Sequence, residues 1–163
     1  MFAECDPTQL YVSIDAPDRK TFGEVVDAVE DDAWDRLVET LDVLADEDDT
    51  RTVLRTTLLS GYNTSHPGWY AAVFDRAGAD FVDMKAFMHV GNSRDRLDRD
   101  VMPDHEDVVA FAEAVDEYLP TRPVLRNVEA SRVALLARDE DTWVPEPKGG
   151  SESWGTEPRQ STS

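Results

Sequence analysis

What most constrains this chain is an ordered alternation of strand-forming and helix-forming stretches. Gln9-Leu10-Tyr11-Val12-Ser13-Ile14-Asp15 is rich in β-branched and aromatic residues and stops at Ala16-Pro17, so it reads as a strand. Asp31 and Asp32 open a helix in which Trp34, Leu37, Val38, Leu41, Leu44 and Ala45 recur at helical spacing. Thr52 to Leu59 is a second strand ending at Ser60-Gly61. Pro67 suits the first turn of a helix whose Tyr70, Val73, Phe74 and Ala77 share a face and which Gly78 ends. Phe81 to Phe87 is a third strand, and Pro103-Asp104 begins a helix carrying Val108, Phe111, Ala112, Val115 and Leu119. Two short strands follow, Val124 to Val128 and Arg132 to Leu136. The order β-α-β-α-β-α-β-β argues for an α/β fold with a parallel sheet and right-handed crossovers, as an open sheet or as an arc of a barrel.

Charge narrows the setting. With 35 acidic residues against 16 basic ones the formal charge is −19, and only Lys20, Lys85 and Lys148 of the basic residues are lysines. Such repulsion opposes compactness in ordinary buffer. At about 1 M salt the Debye length shrinks to roughly 3 Å, and the repulsion is screened. An apolar content of 40% with four tryptophans excludes an acidic disordered chain, so a salt-adapted globular protein is expected. One cysteine, Cys5, excludes an internal disulfide framework and any multi-cysteine metal site. No apolar run reaches membrane-span length and no signal peptide is legible, so a cytoplasmic chain is expected. From Arg138 onward Pro, Gly, Ser and Glu dominate. Residues 1–137 therefore read as the folded part and 138–163 as a disordered tail, in which Trp143 and Trp154 are stray aromatics rather than docking groups.

Functional side chains of parallel α/β folds gather at the carboxyl ends of the strands. Here those ends are polar: Ser13 and Asp15, then Arg55, Thr57 and Asn63, then Asp83, Lys85 and His89. A strand buried on both faces is nearly continuous apolar sequence. Arg55 and Lys85 should therefore face a polar cavity or pair with a carboxylate such as Asp15 or Asp83. His66, His89 and His105 have no metal-ligand spacing, and no phosphate-binding glycine loop is present. In Asn92 to Asp100 three arginines stand among three aspartates. Composition alone favours a self-paired salt-bridge surface there over a phosphate-facing one.

Several stretches resemble the archaeal 4-demethylwyosine synthases, the radical S-adenosylmethionine enzymes of wybutosine biosynthesis. They are Pro7 to Pro17, Arg51-Thr52-Val53-Leu54-Arg55-Thr56-Thr57-Leu58, Gly61-Tyr62-Asn63, and Ala79 to Met88 running into Val90-Gly91-Asn92-Ser93-Arg94-Asp95-Arg96-Leu97, then Met102-Pro103-Asp104-His105-Glu106. The resemblance runs from about residue 6 to 137 and corresponds to the carboxyl-terminal half of the family.

It implies a partial (β/α) barrel of three βα units followed by short terminal strands, serving a 4Fe–4S cluster and S-adenosylmethionine. The implied reaction condenses pyruvate with N1-methylguanosine beside the tRNA anticodon. Ser13, Asp15, Arg55, Thr57 and Asn63 would then lie near the cofactor, and Lys85, Arg94, Arg96 and His105 near substrate or tRNA.

The family's cluster cysteines and pyruvate-binding lysine are not among these residues, so no metal ligand is expected in this chain. A split or truncated gene, a misplaced start or a separate cluster-bearing chain would account for that, and the chain alone is expected to be inactive. Its first strand would be an exposed parallel edge, prone to association even in molar salt. A non-catalytic remnant or RNA-binding module is the alternative. An unrelated barrel enzyme using Asp15, Asp83 and Lys85 for acid–base or Schiff-base chemistry stands third.

Overall fold

The computed structural model describes residues 7–46, 50–120, 124–139 and 142. The expectations for the tail, including Trp143 and Trp154, fall outside these residues. Five strands form one sheet: β1 (Gln9–Ser13), β2 (Arg51–Leu58), β3 (Phe81–Ala86), β4 (Val124–Val128) and β5 (Val133–Ala137). The helices are α1 (Arg19–Val25), α2 (Ala33–Ala45), α3 (Pro67–Ala77) and α4 (His105–Asp116).

The spatial order is β1-β2-β3-β5-β4. β1, β2 and β3 pair in parallel, as the alternation predicts. The last two strands depart from it, because β5 runs antiparallel to β3 and β4 antiparallel to β5. The reason is length: only the short turn Glu129–Ser131 and Arg132, in the left-handed region at φ 50°, join β4 to β5. A parallel crossover needs a dozen or more residues, so this connection can only make a hairpin.

Sequence chemistry sets the helix ends. Asp104 caps α4, accepting from the Asp107 amide at 3.0 Å while the Asp107 carboxylate accepts from the Asp104 amide at 3.2 Å. Gly78 closes α3 in the left-handed region that glycine favours. No helix was expected over α1. It starts directly after Ala16-Pro17, with the Asp18 carboxylate accepting from the Lys20 and Thr21 amides, and it buries no residue that an apolar stripe could have announced.

The core lies on one side of the sheet. Leu41 and Leu44 of α2, Tyr70 and Phe74 of α3, and Val108, Phe111 and Val115 of α4 pack on Leu54, Leu58, Val82, Met84, Ala134 and Leu136. These strand residues all share one face, since paired residues across a sheet point the same way. Among the described residues the other face has only a small cluster near its amino end, Val53, Phe81 and Ala137 with Leu135. No helix of the described residues contributes to that cluster. β1 is an edge strand, pairing with β2 alone among the described residues.

Candidate functional site

The uncovered face reads as registered rows. Tyr11, Val53, Phe81 and Ala137 form the row toward the amino end. Ser13, Arg55, Asp83 and Leu135 form the next, and Thr57, Lys85, Val133 and Val128 the third. Polarity thus rises toward the carboxyl ends of β1–β3, where parallel α/β sheets place their chemistry.

Arg55 and Asp83 are direct neighbours in register. The Arg55 guanidinium donates from Nε and Nη2 to Asp83 Oδ2 at 2.8 and 2.6 Å. It also sits over the Tyr11 ring, 4.5 Å from the centroid. The Asp83 side chain is 9% exposed and that of Arg55 40%. Asp83 Oδ1 is buried and has no hydrogen-bond partner. Of the two carboxylates the sequence offered Arg55, the structure therefore selects Asp83. Lys85, half-buried one row further on, takes neither.

Asp15 does different work just past β1. Its Oδ1 accepts from the Thr57 amide at 2.7 Å. Burial pushes its carboxyl above the ordinary value, partly offset by the bonds from Thr57. Asn63 is 1% exposed and its amide is fully spent on the backbone. Nδ2 donates to the Asp15 and Thr57 carbonyls, each at 2.8 Å, and Oδ1 accepts from the Leu59 amide at 2.7 Å. Asn63 thereby clamps the carboxyl ends of β1 and β2 together and has no free group for a ligand. Tyr70 adds a long bond of 3.4 Å to the Asp15 carbonyl. Burial, with the Asp15 and Asp18 charges nearby, pushes its phenol far up, so it stays protonated.

Ser13, Asp15, Arg55, Thr57 and Lys85 are thus brought to one end of one face. Arg94 and Arg96 lie beyond β3, on and just after the 3-10 turn Gly91–Asp95. Arg94 Nε donates to the His89 carbonyl at 3.3 Å, while Arg96 and Arg99 hold no carboxylate among the described residues. The self-paired salt-bridge surface expected for Asn92 to Asp100 is therefore not formed. On short 3-10 turns the (i, i+4) spacing that brings opposite charges together in an α-helix is lost. His105 is elsewhere: at the start of α4, on the helix side of the sheet, its Nε2 lies 3.1 Å from Asn127 Oδ1 and its Nδ1 is buried without a partner.

Sequence reasoning missed Tyr11, whose ring carries the guanidinium; the signal was its alternation with Leu10 and Val12 along β1. Among the described residues no group of three His, Cys, Asp or Glu side chains is placed to hold a metal ion, and no helix is long and apolar enough to cross a membrane. His89 Nε2 lies 2.8 Å from the Leu97 carbonyl.

Residues 76–138 match a protein family described as wyosine base formation. The S-adenosyl-L-methionine-dependent tRNA 4-demethylwyosine synthase of Pyrococcus horikoshii is 44% identical over 134 residues, 82% of this chain and 39% of the relative. That of Methanocaldococcus jannaschii is 34% identical, over 82% of this chain and 42% of its own length. Among solved structures, TYW1 with a lysine-pyruvate adduct bound superposes with a TM-score of 0.70 at 33% identity, covering 80% of this chain and 41% of the other. An archaeal TYW1 crystal structure superposes with 0.63 at 30% identity, covering 80% and 39%. The chain spans about two-fifths of the length of these relatives.

Proposed function

We propose that this chain is a partial-length relative of the S-adenosyl-L-methionine-dependent tRNA 4-demethylwyosine synthases, to which it is 44% identical over 82% of its length, and that it supplies one wall of that enzyme's reaction chamber, the wall nearer the carboxyl terminus. The observation that carries this reading is charge placement on the uncovered face. In a chain with net charge −19, that face holds Arg51, Arg55 and Lys85 against two carboxylates, Asp15 and Asp83. Solvent in strong salt favours the opposite balance. A face that is cationic and part apolar suits the anionic groups of ligands, such as a carboxylate or phosphate, and a second layer of polypeptide.

S-adenosylmethionine fits the residues present. Arg55 and Ser13 can receive its carboxylate and ribose hydroxyls. When bound it would supply the radical-forming group; Arg55 and Ser13 would bind and orient it, and Asp15 would hold the Thr57 strand end in place. A 4Fe–4S cluster does not fit. Its iron needs cysteine thiolates, and the only cysteine, Cys5, lies outside the described residues. Cluster ligands, and the pyruvate-binding group, belong to polypeptide beyond these residues. Lys85 and the arginines Arg94 and Arg96 form the tRNA side of the chamber mouth.

The test is reconstitution. The chain is mixed with a cysteine-bearing amino-terminal portion of such a synthase, S-adenosylmethionine, pyruvate, a low-potential reductant and tRNA, and nucleosides are read by mass spectrometry. Product should require both polypeptides and vanish with Arg55→Met. The second reading, an RNA-binding module, draws on the unpaired Arg96 and Arg99. Anticodon stem–loop binding with no measurable S-adenosylmethionine affinity, and no product with both portions present, would put that reading in place of the first.

A further inference from the structure

At the amino ends of β2 and β3, away from the polar strand ends, the end of α3 and the exit from β5 border a cleft of about 140 Å³. Its floor is apolar: Phe74 of α3, Val82 of β3, Leu136 of β5 and Leu119 just beyond α4. Phe74, Val82 and Leu136 belong to the main core and are 6% exposed or less, so the cleft opens onto the core itself. Asp75 and Arg138 stand at its rim. The Asp75 carboxylate hydrogen-bonds to no described residue, and Arg138 reaches Asp80 only loosely, at 3.6 Å. A dry apolar cavity of about 150 Å³ admits a benzene-sized ring, so this cleft has room for one aromatic side chain. The rim selects among aromatic rings. A buried indole needs an acceptor for its N–H, which a carboxylate supplies, and a guanidinium is drawn to the indole face.

The chain carries such a ring close by. The Arg138 amide donates to the Asp80 carbonyl at 3.0 Å, which fixes the exit from β5 against the rim. Just beyond, the Thr142 amide and hydroxyl both donate to Asp139 Oδ1, at 2.8 and 2.7 Å, so the chain turns back on itself there. The next residues are Trp143 and Val144. We propose that Trp143 seats its indole in this cleft and closes the core at the amino end of the sheet. Trp154 is the poorer candidate, because its longer tether lowers its effective concentration at the cleft. Composition alone left Trp143 a stray aromatic of the tail; a seat here extends the folded unit past Ala137 to Trp143. The inference is independent of the synthase reading, since the amino-terminal end of a parallel α/β sheet serves stability rather than chemistry.

The experiment is fluorine NMR of the full chain in molar KCl, with 5-fluorotryptophan at Trp34, Trp69, Trp143 and Trp154 and each resonance assigned by a single replacement with Phe. The Trp143 resonance should lie away from its position in urea and show a smaller solvent isotope shift than that of Trp154. Ala79→Met fills the cleft from its wall and should return the Trp143 resonance to its urea position while Trp34 and Trp69 hold theirs. Trp143→Ala should lower the urea midpoint by about 0.5–1 M, the shift expected for a half-seated ring, and Trp154→Ala should leave it unchanged. In the unaltered chain, a Trp143 ring as open to solvent as that of Trp154 overturns the proposal whatever the variants do. A Trp143 signal indifferent to Ala79→Met in a chain that stays folded also overturns it, because the ring then sits elsewhere. Shielding that disappears on dilution does the same, because the ring in the cleft then belongs to a second copy.

Discussion

Replacing Arg55 with Met should destabilise the chain more than replacing its partner Asp83 with Asn, and the inequality follows from burial. Asp83 is 9% exposed and receives both guanidinium bonds on one oxygen, so Arg55→Met strands a carboxylate away from water. Hydrogen bonds to charged groups contribute about 1.5–3 kcal/mol, and the two here act as a unit; discounted for the 40% exposure of Arg55, the loss is about 2–3 kcal/mol. Asp83→Asn leaves an acceptor for one guanidinium N–H, and Arg55 keeps both solvent and the Tyr11 ring, so about 1 kcal/mol is expected. The double variant buries no charge on this row and should cost about 1 kcal/mol, which makes the coupling roughly 2 kcal/mol. Urea unfolding in about 2 M KCl, followed by tryptophan fluorescence, measures all four corners of the cycle; guanidinium chloride would change the ionic strength. Because the pair is in contact and mostly shielded, its coupling should survive between 1 and 3 M KCl, whereas the exposed Arg36–Asp32 pair should show none. Equal costs for the two single variants, or a coupling below about 0.5 kcal/mol, would refute the assignment of Asp83 as the buried anchor of this face.

Asn63→Ala removes three bonds of 2.7 to 2.8 Å to backbone groups and should cost about 3 kcal/mol in the same urea assay; a loss within 0.5 kcal/mol of zero, a rough noise limit, would show that β1 and β2 are not clamped there. For Asp15, the carboxyl is raised above 3.8, so the folded chain holds its proton more tightly than the unfolded one, and stability falls as pH climbs from 3.8 through the raised value and is level above it. Asp15→Asn keeps an acceptor for Thr57 and should therefore raise the urea midpoint at pH 7, with the gain gone at pH 3; a lower midpoint at pH 7 would contradict it. Dilution from molar to about 0.1 M KCl lengthens the Debye length to about 10 Å and should collapse the far-ultraviolet helical signal of a chain charged at −19, while an unchanged spectrum would end the salt-adapted reading.

The elements with strong side-chain periodicity were legible in the sequence. β2, β3, α3 and α4 lie within a residue or two of where Pro67, Gly78, Asp104 and the apolar spacings put them. What the sequence withheld were relations between elements. Strand direction leaves no mark on side-chain alternation, so the antiparallel β5 could be read only from the brevity of the Glu129 to Arg132 connection. Register chose Asp83 over Asp15 for Arg55, and register is fixed by packing across the sheet. Asn63 was legible as a residue beside a turn and a site; only the structure places its amide between two strand ends, where it serves the scaffold. The arginine segment was misread for a related reason: three aspartates interleaved with three arginines pair only on a backbone that brings them together.

The open face also bears on why β1 stays exposed. An edge strand is usually protected by charge, proline or a covering element. Among the described residues β1 has none of these protections along Gln9–Ser13; it has Tyr11, 49% exposed, under the Arg55 guanidinium. Its helix-side residues, Leu10 and Val12, pack against the core, and its outer edge pairs with no other described strand. Among the described residues this parallel edge is open beside a cationic face, an arrangement on which a further strand could continue the sheet. On this argument a lysine placed at Tyr11 should leave the urea stability of the chain within about 1 kcal/mol, as a substitution at a half-exposed edge position does. The same substitution should abolish productive association with the cluster-bearing portion, because it sets a second cation beside Arg55 at the joint.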